Sequence, residues 1–113
     1  MYTSPAPQSA RSAVTVPMLL QMKRNRERIA TLTAYDASFA RAMDHAGIDA
    51  VLVGDSLGMV IKGGANTVSV SIDDMVYHSR CVAQGLQSAL LIADMPFQSY
   101  ATPERALDAA TAL

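Results

Sequence analysis

Two aspartates stand at matching places in this sequence, each directly after a short apolar run. Asp55 follows Leu52-Val53-Gly54, and Asp94 follows Leu91-Ile92-Ala93. If both runs are parallel strands, their carboxyl ends share one rim of the sheet, where α/β proteins bind ligands. Two carboxylates meeting there suit Mg²⁺, which keeps several waters and takes only a few protein oxygens. For either aspartate alone, capping of the following turn is the alternative, and spacing does not decide between them.

Three other polar residues lie near these positions. Ser56 directly follows the first aspartate, so its hydroxyl and backbone N–H could hold a substrate carboxylate, with an ST-turn as the alternative. The glycine-rich loop after it contains no dinucleotide-binding or P-loop motif, which argues against a phosphate-binding loop. His78 lies four residues after Asp74, a spacing that predicts a pair on one helix face. Lys62 is predicted to be solvated.

The elements that would position these residues alternate between strand and helix. Residues 1–16 predict a flexible leader, and residues 17–28 predict a helix that opens with proline and ends in basic residues. Apolar runs then predict three strands, and two of them are apolar on both faces, as parallel strands between layers must be. The predicted strands span residues 29–32, 50–54 and 89–93.

Capping residues mark the helices between and after these strands. Asp36 predicts a helix to about Ala46 that buries Phe39, Ala40 and Met43, with the following glycine as its end. Further helices are predicted at 71–85, with a capping box and buried Met75, Val76, Val82 and Ala83, and from Thr102 onward. This order predicts an α/β protein with a parallel sheet.

Composition excludes several classes of function. The net charge of −1 over 113 residues gives no reason to expect a nucleic acid or an anionic membrane as partner. Cys81 is the only cysteine, so neither a disulfide framework nor a cysteine metal cage can form within one chain. The longest apolar stretch, residues 46–61, is too short to span a bilayer and contains two aspartates. We therefore expect no membrane partner, and the single cysteine fits a reducing compartment.

Several blocks of the sequence resemble the ketopantoate hydroxymethyltransferase family. They occur in the family's order between about Met18 and Leu113 and comprise Thr33-Ala34-Tyr35-Asp36, Leu52-Val53-Gly54-Asp55-Ser56-Leu57-Gly58-Met59, Tyr77-His78, Ala93-Asp94-Met95-Pro96-Phe97 and Ser99-Tyr100-Ala101-Thr102-Pro103-Glu104. The resemblance implies a (β/α)8 (TIM) barrel with an N-terminal helix, of which residues 29–113 would supply the first three βα units. A complete barrel needs about 250 residues.

The resemblance also implies a reaction. Family members transfer a hydroxymethyl group from 5,10-methylenetetrahydrofolate to 3-methyl-2-oxobutanoate and give 2-dehydropantoate for pantothenate synthesis. It implies that Asp55 and Asp94 hold Mg²⁺, and that Asp55, Ser56 and Asp94 contact the 2-oxo acid. Family members form cytoplasmic homo-oligomers, often decamers.

Departures from the family pattern limit what this chain is expected to do. The family's general base, a substrate-binding lysine and a further metal-linked glutamate would all fall beyond Leu113, so no catalytic residue is assigned within the chain. Residues 63–70 lack the His, Asp and Pro that are typical there. We therefore expect an incomplete barrel without hydroxymethyl transfer of its own. The alternatives are a Mg²⁺-dependent enzyme of the phosphoenolpyruvate mutase/isocitrate lyase type and a non-catalytic binding module.

Overall fold

Three short parallel strands form the sheet in the computed structural model, which describes residues 11–113. They are β1 (Thr31–Thr33), β2 (Ala50–Val53) and β3 (Leu90–Ala93). Ala50 is the partner of Thr31 on one side and of Leu90 on the other, so the order is β1-β2-β3 and β2 is central. The predicted α/β class with a parallel sheet is confirmed. That these elements begin a (β/α)8 barrel stays a prediction.

Helices precede the sheet, connect its strands and follow it. They are α1 (Val16–Arg24), α2 (Ala37–His45), α3 (Leu57–Val60), α4 (Ile72–Gly85) and α5 (Pro103–Ala112). The side chains of Asp36, Ser71 and Thr102 each accept the backbone N–H three residues ahead, as the sequence predicts. Ser71 and Asp74 also form the predicted capping box. None of the helices within residues 11–113 has the length and apolar character needed to cross a bilayer.

The segment before the sheet differs from its prediction. The first helix ends at Arg24, four residues before the predicted end, because Arg26 adopts a left-handed backbone (φ 58°) that a helix cannot continue through. Of the predicted leader, residues 1–10 lie outside the described residues, Arg11 and Val14 contact the amino-terminal end of the sheet, and Val16 already begins α1. Val14 is 8% exposed and donates its N–H to the Ser88 carbonyl at 2.7 Å.

The core lies between the sheet and the layer of α2 and α4. Val51 and Val53 are fully buried, as are Met75 and Val82 of α4 and Ala40 of α2. The central strand is thus covered, whereas β1 is exposed and β3 only partly buried. This difference follows from the strand order, since β1 and β3 are the edges in the described residues.

Two predictions of burial are wrong. Phe39 is 65% exposed and Ala83 is also exposed. Helical periodicity identifies apolar positions but not the width of the face that another element covers. Phe39 instead lines an open groove of about 320 Å³ together with Val60 and Ile61.

Asp44 organises the amino-terminal end of the sheet. Its side chain accepts the backbone N–H groups of Gln87 at 3.2 Å, Ser88 at 3.0 Å and Ala89 at 2.7 Å. These donors belong to the turn between α4 and β3, so one carboxylate from α2 holds the entry to the third strand. Arg11 approaches the same end and pairs with Asp49 at 3.8 Å.

Candidate active-site rim

The structure brings the two strand-end aspartates together. Asp94 extends the ladder beyond β3 by donating its N–H to the Val53 carbonyl at 3.0 Å. Its Oδ2 accepts the backbone N–H of Asp55 at 3.0 Å. Asp94 therefore bonds across to the loop that follows β2 instead of capping its own turn. The roles of Asp55 and Asp94 as metal and substrate ligands stay predictions.

The charge at this rim is uncompensated in the part of the chain that the structure describes. The Asp55 carboxylate makes no hydrogen bond there, and neither aspartate has a lysine or arginine partner. No third His, Cys, Asp or Glu among residues 11–113 joins them as a metal-binding cluster. Two partly exposed carboxylates fit an ion such as Mg²⁺, because this ion completes its shell with water and substrate oxygens.

Ser56 completes the group of predicted site residues. It occupies the N-cap position of α3, yet its side chain makes no capping hydrogen bond. Its Oγ lies 2.7 Å from the hydroxyl of Tyr35 instead. A Cβ on Gly54 would lie 2.9 Å from this Oγ and 3.4 Å from Asp94 Oδ2, so the glycine leaves room for both groups.

Tyr35 is a site residue for which sequence reasoning assigned no role. It lies in the loop after β1, and its backbone carbonyl accepts a hydrogen bond from His78 Nδ1 at 2.8 Å. The predicted pair between His78 and Asp74 is therefore wrong, because the ring turns from its own helix toward the β1 loop. The Thr33-Ala34-Tyr35-Asp36 block marked this loop, but no spacing rule relates residue 35 to residue 56.

Lys62 is bound and not simply solvated, which corrects its prediction. Its Nζ donates to Asp74 Oδ2 at 2.8 Å, and Asp74 also accepts the Ser71 backbone N–H. The Lys62 hydrogen bond and these Ser71 contacts lower the pKa of Asp74 to about 2. The pair ties the loop after α3 to the first turn of α4. It thereby restrains the segment that begins with Asp55 and Ser56.

Replacing Lys62 with alanine should raise the pKa of Asp74 part of the way toward its ordinary value of 3.8, since the Ser71 contacts remain. Because the folded pKa is depressed, the pair's contribution to stability is present above the unfolded pKa and is lost as the pH falls toward 2. The Lys62 side chain is 45% exposed, so the loss of stability at pH 7 should stay below about 1 kcal/mol. A carboxyl ¹³C NMR titration measures the pKa, with Lys23→Ala as control. An unchanged Asp74 titration would contradict the contact.

Comparisons with known proteins show the family to which this sequence is similar. The sequence model of ketopantoate hydroxymethyltransferase matches residues 13–113. A 3-methyl-2-oxobutanoate hydroxymethyltransferase of Xylella fastidiosa (strain M12) is 61% identical over 99 residues, which are 88% of this chain and 36% of that protein. The protein of the same name from Aeromonas salmonicida (strain A449) is 55% identical over 102 residues, 90% of this chain and 39% of that protein. A third, from Stenotrophomonas maltophilia (strain R551-3), is 58% identical over 99 residues, 88% of this chain and 36% of that protein.

The match covers only part of the length of these relatives. The chain spans little more than a third of the length of these relatives, 36% to 39%, and the matched region is their N-terminal part. Within it, the family model covers every residue at the rim described above, from Tyr35 to Asp94. On this match, the chain belongs to the ketopantoate hydroxymethyltransferase family, a family of transferases of pantothenate synthesis.

Proposed function

We propose that this chain carries the 2-oxo acid and Mg²⁺ part of a hydroxymethyltransferase site. In that reaction a hydroxymethyl group passes from 5,10-methylenetetrahydrofolate to 3-methyl-2-oxobutanoate. The observation that carries the proposal is the hydrogen bond from the Asp55 N–H to the Asp94 carboxylate, which joins two acidic strand ends at one rim. The names of the relatives give the same substrate, whereas the phosphoenolpyruvate mutase alternative finds no support among them.

Each residue at the rim has a distinct part in this proposal. The carboxylates of Asp55 and Asp94 would hold Mg²⁺, which when bound withdraws electron density from a keto group and so favours loss of the neighbouring C3 proton. Ser56 would donate its hydroxyl hydrogen to the substrate carboxylate. Asp36, which follows β1 in the sequence, caps α2 by accepting the Phe39 N–H. We assign the general base to none of these residues.

The wider assignment rests on the same family relation. We propose that residues 29–113 form part of a (β/α)8 barrel, with α1 (Val16–Arg24) as its N-terminal helix. Under this proposal the exposed edges of β1 and β3 are where further strands would pair. The homo-oligomeric, cytoplasmic assembly and the inactivity of the chain alone stay predictions.

The proposal predicts that Mg²⁺ strengthens binding of 3-methyl-2-oxobutanoate by the 113-residue chain. Asp55→Asn and Asp94→Asn should each weaken that binding by at least about tenfold, because each removes a negative charge from the metal site without changing its shape. Isothermal titration with and without MgCl₂ measures the affinity. Asp73→Asn, which neutralises an exposed carboxylate on α4, is the matched control and should bind like the wild type. Equal affinity with and without Mg²⁺ in the wild type would contradict the proposal.

A further inference from the structure

The hydroxyl of Ser56 is oriented by the Tyr35 hydroxyl and not by a contact within its own helix. A serine at an N-cap normally accepts a backbone N–H of the first turn. Here the four-residue α3 receives no such bond, and the Ser56 Oγ lies 2.7 Å from the Tyr35 hydroxyl. Both groups are partly buried, so water competes poorly for this contact. The rotamer of Ser56 is therefore set across two loops, from the end of β1 to the end of β2.

Tyr35 is itself held in place from a third element. A backbone carbonyl can only accept, so His78 Nδ1 carries the hydrogen in its bond to the Tyr35 carbonyl. The Tyr77 ring also contacts the imidazole in an edge-to-face arrangement, with ring centroids 5.2 Å apart and ring planes at 88°. The backbone of residue 35 is thus fixed to α4. The phenol of Tyr35 therefore contacts Ser56 from a backbone position that His78 holds in place.

The Ser56 Oγ also borders the space that the missing side chain of Gly54 leaves open. A Cβ added to Gly54 would lie 2.9 Å from this Oγ and 3.4 Å from Asp94 Oδ2. The hydroxyl therefore lies between the Tyr35 phenol and a space that Asp94 also borders. If the phenol donates to Oγ, the hydrogen of Ser56 is free to be donated to another acceptor.

We propose that Tyr35 is a positioning residue that holds Ser56 as a hydrogen-bond donor toward the carboxylate of a bound 2-oxo acid. This rests on the proposed function, since it takes the 2-oxo acid as the ligand. Tyr35 does not contact the reacting atoms in this scheme. Once the Ser56 hydroxyl is removed, the Tyr35 hydroxyl should no longer affect the affinity for the 2-oxo acid. This result distinguishes a positioning residue from one that binds the ligand directly.

The pairing itself is tested without any ligand. In protein labelled with ¹³Cζ-tyrosine, Ser56→Ala should shift the Tyr35 resonance and leave those of Tyr77 and Tyr100 in place. Tyr35→Phe assigns the signal by removing it. Because Ser56 makes no capping bond, the alanine variant is expected to remain folded. An unmoved Tyr35 resonance would overturn the proposal.

A double-mutant cycle then tests the role in binding, with 3-methyl-2-oxobutanoate and MgCl₂ as the probe. Tyr35→Phe should weaken binding about fivefold, the effect of one neutral hydrogen bond, and Ser56→Ala about tenfold or more, because its partner is charged. The double variant should match Ser56→Ala within about twofold. Tyr77→Phe, which keeps the ring beside His78, is the control and should bind like the wild type.

The binding measurements distinguish loss of the positioning role from failure of the proposed function. If the wild type binds the 2-oxo acid but Tyr35→Phe weakens binding fivefold in the Ser56→Ala background as well, only the positioning role is overturned. If the wild type binds no 2-oxo acid in the presence of Mg²⁺, the proposed function fails and the ligand named here fails with it. The Tyr35 resonance in the Ser56→Ala variant still decides whether the two hydroxyls pair.

Discussion

Replacing Asp44 with alanine should lower the free energy of unfolding by about 3–5 kcal/mol, because it leaves three backbone N–H groups without their acceptor. The donors are those of Gln87, Ser88 and Ala89, and the aspartate is only 8% exposed. The loss should appear as a lower midpoint of urea unfolding with an unchanged slope. Asp108→Ala, which removes an exposed carboxylate from α5, should change stability by no more than about 0.5 kcal/mol.

Asp44→Asn is a finer variant of the same test. Oδ1 accepts from Ser88 and Ala89, whereas Oδ2 accepts only from Gln87. An amide that keeps its oxygen at the Oδ1 position retains two of the three bonds, so the cost should be about 1–2 kcal/mol. An alanine variant no less stable than the asparagine variant would contradict the three-donor arrangement.

The stability supplied by Asp44 should also depend on pH. Burial by itself would raise the pKa of Asp44, but the N–H donors of Ala89, Ser88 and Gln87 and the positive charge of Arg11 outweigh it and lower this pKa. Since the folded pKa is depressed, the contribution is complete above the ordinary value of 3.8 and is lost as the pH falls through the folded pKa. The difference in stability between the wild type and Asp44→Asn should therefore shrink in acid.

Gly85→Ala should destabilise the protein by about 2–3 kcal/mol, because at this glycine α4 packs against α2 with no space for a Cβ. An added Cβ would overlap the Ala37 carbonyl oxygen and lie 2.9 Å from the Ala40 Cβ and 3.0 Å from the Arg41 nitrogen. Two of these obstacles are backbone atoms, so no side-chain rotation relieves them and the helices must separate. The gain in helix propensity, at most about 1 kcal/mol, does not offset this.

The same urea titration measures the effect of Gly85→Ala. Gln84→Ala changes the exposed neighbouring residue of α4 and should leave the midpoint almost unchanged. Separation of the two helices would also move His78 relative to Tyr35. The ¹³Cζ signal of Tyr35 should therefore shift in Gly85→Ala but not in Gln84→Ala. A fully stable Gly85→Ala variant would show that the helices pack less closely than described.

Local sequence signals predicted much of the sheet and of the acidic rim. An apolar run followed by aspartate, twice, was enough to place Asp55 and Asp94 at neighbouring strand ends, because parallel strands share one direction. The caps at Asp36, Ser71 and Thr102 were equally readable, since each cap depends on residues within one helical turn. The sequence does not predict α3, because its four residues, which include Gly58, are too few to show a helical period.

The remaining features depend on contacts between distant parts of the chain. Asp44 and Ala89 are 45 residues apart, and His78 and Tyr35 are 43 apart, so no local pattern relates them. The error at Phe39 has a similar origin, because its exposure is decided by what lies beside α2 and not by α2 itself. The sequence around Lys62 indicates only a loop, whereas the partner of Lys62 belongs to the following helix.

The Asp44 cluster and the acidic rim stand at opposite ends of the same strand, and this separates two kinds of tolerance to mutation. From Ala89 to Asp94 the chain runs five residues, roughly 16 Å if fully extended, so substitutions at the two ends should combine almost additively. A laboratory selection for thermal stability could therefore yield substitutions in the turn around Ser88 that do not reduce ligand binding. Conversely, substitutions of Ser56 that alter ligand preference should leave the stability supplied by the Asp44 hydrogen bonds unchanged.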